Sequence, residues 1–294
     1  MINFYHDRDM MRKLLGLLGS ARKNGNTEVL IKEALMGAEE VGAETGMIRL
    51  TDLSIRPCTG CMACVFRNEG CRIDDDLEWI FEKMVEADAI IIGAPTYYLG
   101  ACATIKLFTD RALQFATRLD RMHGKVGASI AVAGLPEWDA FTVPILNTCL
   151  LAYNMRIERT LVAYAPGPGE VLLDDKVVES ANSIGKVLAG AAEPEQQNST
   201  GLCPVCRTDL VRITEKGAVC PVCNAKITIR LENSSIRLEY DANSVVNHRW
   251  TEENFEAHLN NWIRATEKKF KARFEEIKNL SQKYREFDRW IEPP

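Results

Sequence analysis

The stretch KLLGLLGSARKNGNTEVLIKEAL, residues 13–35, passes from an apolar run through a polar loop into a helical pattern. The run KLLGLLG predicts a buried strand, and residues spaced for one face of a helix follow from about Asn26. The loop between them carries hydroxyl, amide and glycine residues together with Arg22 and Lys23. This order predicts that backbone N–H groups at the start of the helix bind a terminal phosphate.

The loop matches neither the G-x-G-x-x-G pattern nor the P-loop pattern, so the sequence disfavours a dinucleotide site and a Walker NTPase site. A polar loop that only caps a helix is the alternative. That alternative does not require an arginine, and here Arg22 stands between Gly19 and Gly25. A mononucleotide with a terminal phosphate therefore fits the loop better.

The strand and helix pattern recurs along the next 150 residues. Apolar strand-like runs alternate with helical patterns, and the runs lie at 13–19, 45–50, 87–95, 126–134 and 156–164. Five strands that alternate with helices predict a doubly wound α/β fold, a parallel sheet covered on both faces. Its ligand is expected beyond the carboxyl ends of the strands, where the loops 20–27, 94–100 and 133–139 emerge.

A second feature is the cysteine-rich stretch PCTGCMACVFRNEGC, residues 57–71. Its thiols, Cys58, Cys61, Cys64 and Cys71, are spaced three, three and seven residues apart. Three closely spaced cysteines with a fourth nearby favour a [4Fe–4S] cubane, whereas structural zinc usually joins two cysteine pairs across a longer loop. A zinc knot or four unrelated thiols remain the alternatives.

Composition limits the class of protein. The 294 residues are 46% hydrophobic and 26% charged, with a net charge of −5, which makes a nucleic-acid partner unlikely. The N-terminus lacks the apolar core of a signal peptide and no run is of membrane length, so we expect a cytoplasmic protein without a membrane partner. In that compartment cysteines are reduced thiols or metal ligands. Cys102 and Cys149, which stand alone in predicted helices, are expected to be small buried hydrophobes.

The last hundred residues form a separate pattern. After the polar stretch 193–200, two CPVC motifs place Cys203, Cys206, Cys220 and Cys223 around a 13-residue spacer. This spacing predicts a zinc ribbon, with a rubredoxin-like iron site as the alternative. From Thr251 to about Ile291 apolar residues recur at helical spacing, which predicts one long amphipathic helix or two in series. We expect its apolar stripe to pack on the chain's own domain or on a symmetry mate.

Three motifs together carry a resemblance to a known family. GSARKNGNTE (19–28), APTYYLGACATIKLFTDR (94–111) and the compact cysteine motif resemble the iron–sulfur flavoproteins, a branch of the flavodoxin-like, NAD(P)H-dependent FMN reductase group. The resemblance covers about residues 13–190. It implies bound FMN, a [4Fe–4S] cluster on the four cysteines, and a homodimer or homotetramer with flavin sites at subunit interfaces.

The resemblance also implies roles for individual residues. The phosphate would be held by Ser20, Arg22, Asn24, Asn26 and Thr27. The isoalloxazine would be lined by Pro95, Thr96, Tyr97, Tyr98 and Gly100. Of the third loop only Gly134 is carried over, because AGLPEWD departs from the glycine-rich form of the wider group. The chemistry belongs to the cofactors, so no side chain is assigned as catalytic.

The sequence thus predicts four parts: a flavodoxin-like domain (1–192), a linker (193–200), a zinc ribbon (201–240) and a helical segment (241–294). The leading hypothesis is an oxidoreductase with FMN and a [4Fe–4S] cluster. It would take electrons from a ferredoxin-like carrier or NAD(P)H and pass them to a small acceptor. The rivals are a plain NAD(P)H-dependent FMN or quinone reductase, and an electron-transfer subunit of a larger complex that performs no substrate chemistry.

Overall fold

The computed structural model describes residues 12–67, 70–192, 201–232, 235–287, 289–291 and 293. The larger domain is built on a parallel sheet. Its strands are β1 (Lys13–Leu18), β2 (Glu44–Arg49), β3 (Ala89–Tyr97), β5 (Val126–Ala133) and β6 (Arg156–Tyr164), and a short β4 (Gly100–Ala101) folds back on β3. The parallel strands lie in the order β2-β1-β3-β5-β6. The five predicted parallel strands are confirmed, and β4 was not predicted.

Helices cover both faces of this sheet. The helices are α1 (Asn26–Glu39), α2 (Ala63–Phe66), α3 (Leu77–Glu86), α4 (Ala103–Asp110), α5 (Thr142–Ala152) and α6 (Asp175–Leu188). Buried side chains of α1 and α6 share one hydrophobic core with the sheet, and those of α3, α4 and α5 share the other. Because both faces are covered, β3 and β5 are almost continuously apolar.

The contact between α1 and α6 depends on two glycines. A Cβ atom on Gly185 would lie 1.7 Å from the carbonyl oxygen of Ala34, and one on Gly37 would lie 2.2 Å from that of Asn182. No side chain fits at these distances, so each glycine lets the backbone of one helix touch the other. This contact fixes α1, whose N-terminus faces the predicted phosphate site.

The C-terminal module contains an antiparallel sheet. Its strands are β7 (Arg212–Thr214), β8 (Gly217–Val219), β9 (Lys226–Glu232) and β10 (Ser235–Tyr240). They lie in the order β10-β9-β8-β7. The module docks on α5, where the buried amide of Asn147 donates to the carbonyl oxygen of Cys206 at 2.8 Å. Its four cysteines belong to the same buried cluster as α3, α4 and α5. The predicted linker 193–200 lies outside the described residues.

The C-terminal segment is helical but not continuous. It consists of α7 (Ala242–Val246), α8 (Glu252–His258), a π-helical turn (Leu259–Arg264), α9 (Ala265–Ala272) and α10 (Phe274–Arg285). Of the two predicted forms, two helices in series is the one found: α8, the π turn and α9 follow one another without a break, and the non-helical Arg273 separates them from α10. The helical part ends at Arg285, short of the predicted Ile291. None of the described helices is long and apolar enough to cross a membrane.

Candidate functional site

The first predicted ligand loop joins β1 to the N-terminus of α1. Ser20 is buried, Arg22 and Asn24 are exposed, and the hydroxyl of Ser20 accepts a hydrogen bond from the N–H of Arg22 at 3.2 Å. The N-cap residue of α1, Gly25, has no side chain to satisfy the first N–H groups of the helix. These N–H groups, including that of the buried Thr27, are thus available to a phosphate.

Asn26 has a different side-chain role from the one that the resemblance implies. Its amide donates to the carbonyl oxygens of Ala165 (2.9 Å) and Gly167 (2.8 Å), and its own oxygen accepts from the N–H of Val171 at 3.4 Å. The side chain therefore holds the loop after β6 against the phosphate loop. Only its backbone N–H remains for a phosphate.

An ion pair that sequence reasoning missed supports the same loop. Glu28 is 4% exposed; it accepts from the N–H of Asn24 at 2.7 Å and pairs with Arg49 at 2.7 Å and with Lys32 at 2.6 Å. Burial raises the pKa of Glu28, but these hydrogen bonds outweigh it and lower the pKa from 4.5 to about 2. Arg49 also donates to the carbonyl oxygen of Ser20 at 2.8 Å, so this pair joins both ends of the loop.

The second ligand loop is a tight hairpin between β3 and β4. Thr96 faces Ala101 and Tyr97 faces Gly100, which leaves Tyr98 and Leu99 as the two turn residues with φ values of 49° and 70°. Non-glycine residues seldom adopt positive φ, and such conformations concentrate at functional sites. Tyr97 and Tyr98 are 62% and 103% exposed, so both rings face outward where a flat heterocycle could stack on them.

The third loop lies beside this hairpin. The N–H of Phe141 donates to the carbonyl oxygen of Leu99 at 2.7 Å, and the hydroxyls of Thr96 and Thr142 are 2.8 Å apart. Gly134 is exposed, and a Cβ there would approach no atom closer than 3.9 Å. The structure therefore brings all three predicted loops to one edge of the sheet, after β1, β3 and β5. Pro95, half-buried, ends the buried part of β3 at this edge.

The cysteine loop leaves the same edge after β2 and returns at α3. Cys58 and Cys61 are exposed, whereas Cys64 and Cys71 are half-buried. Burial raises the pKa of Cys64, and the nearby charges of Cys71, Cys61 and Cys58 raise it further. The charges of all three other thiols of the motif thus raise the pKa of Cys64. The backbone N–H of Ala63 and the hydroxyl of Thr59 lower the pKa of Cys61.

A buried arginine contacts this loop, and no motif in the sequence indicates it. Arg111, which follows α4, is 3% exposed. Its guanidinium donates to the sulfur of Cys71 at 3.4 Å, to the carbonyl oxygen of Arg56 at 3.2 Å, and to the carboxylate of Asp75. Because Arg111 lies 40 residues from Cys71, only the tertiary structure could reveal the contact.

The two CPVC motifs form a compact site of four buried sulfurs. Among the described residues, Cys203, Cys206, Cys220 and Cys223 are the group of possible ligands whose atoms all lie within 4.8 Å of one another. The two motifs have the same backbone geometry: Arg207 and Asn224 each have positive φ. Their N–H groups donate to the backbone carbonyl oxygens of Cys203 and Cys220, at 2.8 and 2.9 Å respectively. This set fits a single tetrahedral ion. The first cysteine group does not meet the same distance limit.

The fold and the three loops define a class. A parallel sheet in this order, with a phosphate loop after β1 and aromatic loops after β3 and β5, is a flavodoxin-like flavin-binding domain. The family model for NADPH-dependent FMN reductase matches residues 12–140. The chain is a flavin-dependent oxidoreductase.

Relatives narrow the class to one family. An iron–sulfur flavoprotein of Methanocaldococcus jannaschii is 35% identical over 187 residues, which are 60% of this chain and 95% of the relative. One from Archaeoglobus fulgidus is 34% identical over 184 residues, 62% of this chain and 80% of the relative. This chain belongs to the iron–sulfur flavoprotein family.

One solved structure resembles nearly the whole chain. A protein titled flavone reductase superposes with a TM-score of 0.76 at 26% identity and covers 96% of this chain and 100% of its own. Because so little of the chain is left uncovered, the likeness extends through the four-cysteine module and into the C-terminal helices.

Proposed function

We propose that this chain is an oxidoreductase with FMN and a [4Fe–4S] cluster that moves electrons from a ferredoxin-like carrier or NAD(P)H to a small-molecule acceptor. The observation that carries the proposal is the common edge shared by the phosphate loop, the Tyr97–Gly100 hairpin and the start of the cysteine loop. When bound, FMN exchanges one or two electrons and a cubane exchanges one, so the pair converts between the two electron counts.

The residues present fit FMN. The uncapped N-terminus of α1 and the hydroxyls of Ser20 and Thr27 suit a phosphate dianion, and Arg22 is free to approach it from solvent. Glu28 would repel a phosphate, but Arg49 and Lys32 neutralise it. The exposed rings of the hairpin would orient the isoalloxazine by stacking, and no side chain acts as a nucleophile.

The residues also fit a cubane better than a single ion at the first cysteine group. Each cysteine of a cubane binds a different iron, so the sulfurs stand farther apart than around one zinc. The sulfurs of the first group lie farther apart than those of the second, yet the charges of the three other thiols still raise the pKa of Cys64. The hydrogen bond from Arg111 to Cys71 suits a thiolate ligand.

We propose zinc for the second group. Its sulfurs are separated by 3.4 Å between Cys203 and Cys223 and by 3.3 Å between Cys206 and Cys220. A tetrahedral Zn–S bond of about 2.3 Å corresponds to an S–S separation of about 3.8 Å, which small shifts would reach. A rubredoxin-like iron has similar geometry and is the alternative that metal analysis distinguishes.

A second candidate concerns the acceptor. The likeness to a flavone reductase covers the C-terminal module as well as the flavin domain. A flavone synthase of Aspergillus candidus is 26% identical over 254 residues, 73% of this chain and 77% of the relative. Both names point to a planar aromatic substrate. The loops 94–100 and 133–139 carry or adjoin exposed aromatic side chains, namely those of Tyr97, Tyr98, Trp138 and Phe141. We therefore include reduction of a flavone-like C=C bond as the specific form of the proposed activity.

We also propose a homodimer or homotetramer in the cytoplasm. The C-terminal helices α9 and α10 bury no residue, although they carry Phe270, Phe274, Ile277 and Leu280. A contiguous apolar stripe of this kind is typical of an interface. Size-exclusion chromatography with light scattering measures the mass of the particle, and a monomer would contradict this proposal.

Anaerobic purification followed by flavin, iron, sulfide and zinc analysis tests the cofactors. The proposal expects one flavin, about four irons and about four sulfides per chain, with zinc in addition. Cys61→Ser should lose iron and sulfide, while Cys149→Ser, buried in α5 and outside both groups, should keep them. Flavin without sulfide in the wild type would instead support a plain FMN or quinone reductase.

Stopped-flow mixing then identifies the donor and acceptor. NADH, NADPH and reduced ferredoxin are mixed separately with the oxidised protein, and flavin bleaching is followed. Turnover is measured anaerobically with a flavone and with a benzoquinone. Reduction by a donor without turnover of either acceptor would favour the electron-transfer subunit.

A further inference from the structure

Arg111 is a buried positive charge beside the cysteine loop. It follows α4 directly, and its side chain is 2% exposed. The guanidinium donates to four different groups: the sulfur of Cys71, the carbonyl oxygen of Arg56, the carboxylate of Asp75 and the side-chain oxygen of Gln114. An arginine stays charged at any pH that the protein survives, so this is a permanent charge beside a cysteine.

The same guanidinium connects both ends of the cysteine loop. Arg56 precedes the first cysteine and Asp75 follows the last. The carboxylate of Asp75 also accepts from the N–H of Arg56 at 2.9 Å and from the N–H of Leu77 at 3.3 Å. Although burial raises the pKa of Asp75, these bonds and the bond from Arg111 lower it, so Asp75 is an anion. The loop is thus closed by a buried ion pair.

One part of the arrangement is not explained by closing the loop. Asp75 and the Arg56 carbonyl bind one terminal nitrogen of the guanidinium, and the other terminal nitrogen lies 3.4 Å from the sulfur of Cys71. A neutral thiol is a weak acceptor, whereas a thiolate receives a charge-assisted hydrogen bond. The contact is therefore worth most when Cys71 is ionised, as it is when bound to iron.

We infer that Arg111 is a positioning residue that raises the reduction potential of the cluster through its hydrogen bond to Cys71. The inference rests on the proposed function, because it requires a cluster on Cys58, Cys61, Cys64 and Cys71. Hydrogen bonds to the sulfurs and the net charge around a cluster both set its potential. A fixed cation beside one ligand favours the reduced state, which carries one more negative charge.

The electron count of this step is simple. One electron enters the cluster from an external reductant, dithionite in the experiment below, and no bond is made or broken. Arg111 is protonated before and after, so no proton moves at this residue. What changes is the strength of one hydrogen bond, which increases as the sulfur becomes more negative.

Three variants test the inference. Arg111→Met removes the donors and the charge, Asp75→Asn leaves Arg111 without its counter-charge, and Arg118→Met is the matched control. Arg118 lies seven residues further along and forms its hydrogen bonds with Glu78, at 2.6 and 2.8 Å. Each protein is purified anaerobically, its iron and sulfide are measured, and its midpoint potential is determined by dithionite titration followed by electron paramagnetic resonance.

The two test variants should shift the potential in opposite directions. In Arg111→Met we expect the equilibrium constant for reduction to fall about tenfold, which is about 59 mV for one electron. In Asp75→Asn it should rise, and in Arg118→Met it should stay at the wild-type value. A loop that was only loosened would not give shifts of opposite sign. If Arg111→Met does not retain its cluster, the direction of the potential shift in Asp75→Asn decides.

The possible failures are distinguishable. A wild-type protein without sulfide refutes the proposed cluster, and the inference falls with it. The inference alone is refuted if the wild-type protein has a complete cluster but Arg111→Met and Asp75→Asn keep the wild-type potential. It is also refuted if both variants shift the potential in the same direction. The proposed function would stand in that case.

Discussion

Glu28 offers a sharp test of the phosphate loop, because its carboxylate holds the turn at Asn24 and pairs with Arg49 and Lys32. The change is Glu28→Gln, which keeps the size of the side chain and removes its charge. A pKa lowered from 4.5 to about 2 corresponds to about 3 kcal/mol of stabilisation at neutral pH. We therefore expect the variant to lose about 2–3 kcal/mol of unfolding free energy at pH 7.

The pH dependence follows from the sign of the shift. The pKa is lower in the folded protein, so the stabilisation is complete above about pH 4.5 and is lost as the pH falls toward about 2. The difference between wild type and variant should shrink to roughly half or less of its neutral value by pH 3. Other titrating groups, including the cysteines, largely cancel in this difference.

The assay is urea denaturation of both proteins from pH 3 to pH 7, followed by circular dichroism. Glu39→Gln is the control, since Glu39 lies on the same helix and is exposed. Its difference from the wild type should be small at every pH. A difference for Glu28→Gln that does not change with pH would refute the reasoning, because it would come from shape rather than charge.

Three further predictions concern other parts of the chain. Gly185→Ala should lower the unfolding free energy by about 1–3 kcal/mol or more, since its Cβ would overlap the backbone of α1. The control Gly46→Ala has open space around the new Cβ and should not destabilise the protein. Equal effects of the two changes would contradict this packing. Asn147→Ala should cost about 1–3 kcal/mol in thermal unfolding, because it leaves the buried Cys206 carbonyl without its donor, and an unchanged melting temperature would argue against docking on α5. Chelation of the metal proposed for the two CPVC motifs should make residues 201–240 sensitive to limited proteolysis, while the sheet β1 to β6 stays resistant. Equal resistance throughout the chain would contradict a metal-dependent ribbon.

Much of the fold could be predicted because its signals are local. Apolar runs alternating with helical patterns identified the five strands of the parallel sheet and the three loops at their carboxyl ends. The burial of Cys102 and Cys149 was predicted correctly, although Cys102 precedes α4 rather than lying inside it. For the C-terminal segment, two helices in series was one of the two predicted forms. The positions of the break at Arg273 and of the end at Arg285 could not be predicted, since no glycine or proline marks either.

The site was less predictable because it depends on contacts between distant residues. The hairpin at Tyr98 and Leu99 has positive φ at both turn residues, and neither is a glycine or an asparagine that would indicate such a turn. The roles of Arg49, Arg111 and Asn26 arise from partners between 29 and 145 positions away, which spacing along the chain does not reveal. Motif residues could be identified, but not the side chains that hold them.

Helix α4 joins the two halves of the proposed electron route within one subunit. It begins directly after the hairpin that would face the flavin and ends at the arginine that touches the cysteine loop. Its eight residues make a rigid rod of about 12 Å, so the spacing of the two centres is set by residue count rather than by loop motion. One residue added to this rod would turn Arg111 by about 100° away from Cys71 and change the surroundings of the proposed cluster without altering any cysteine.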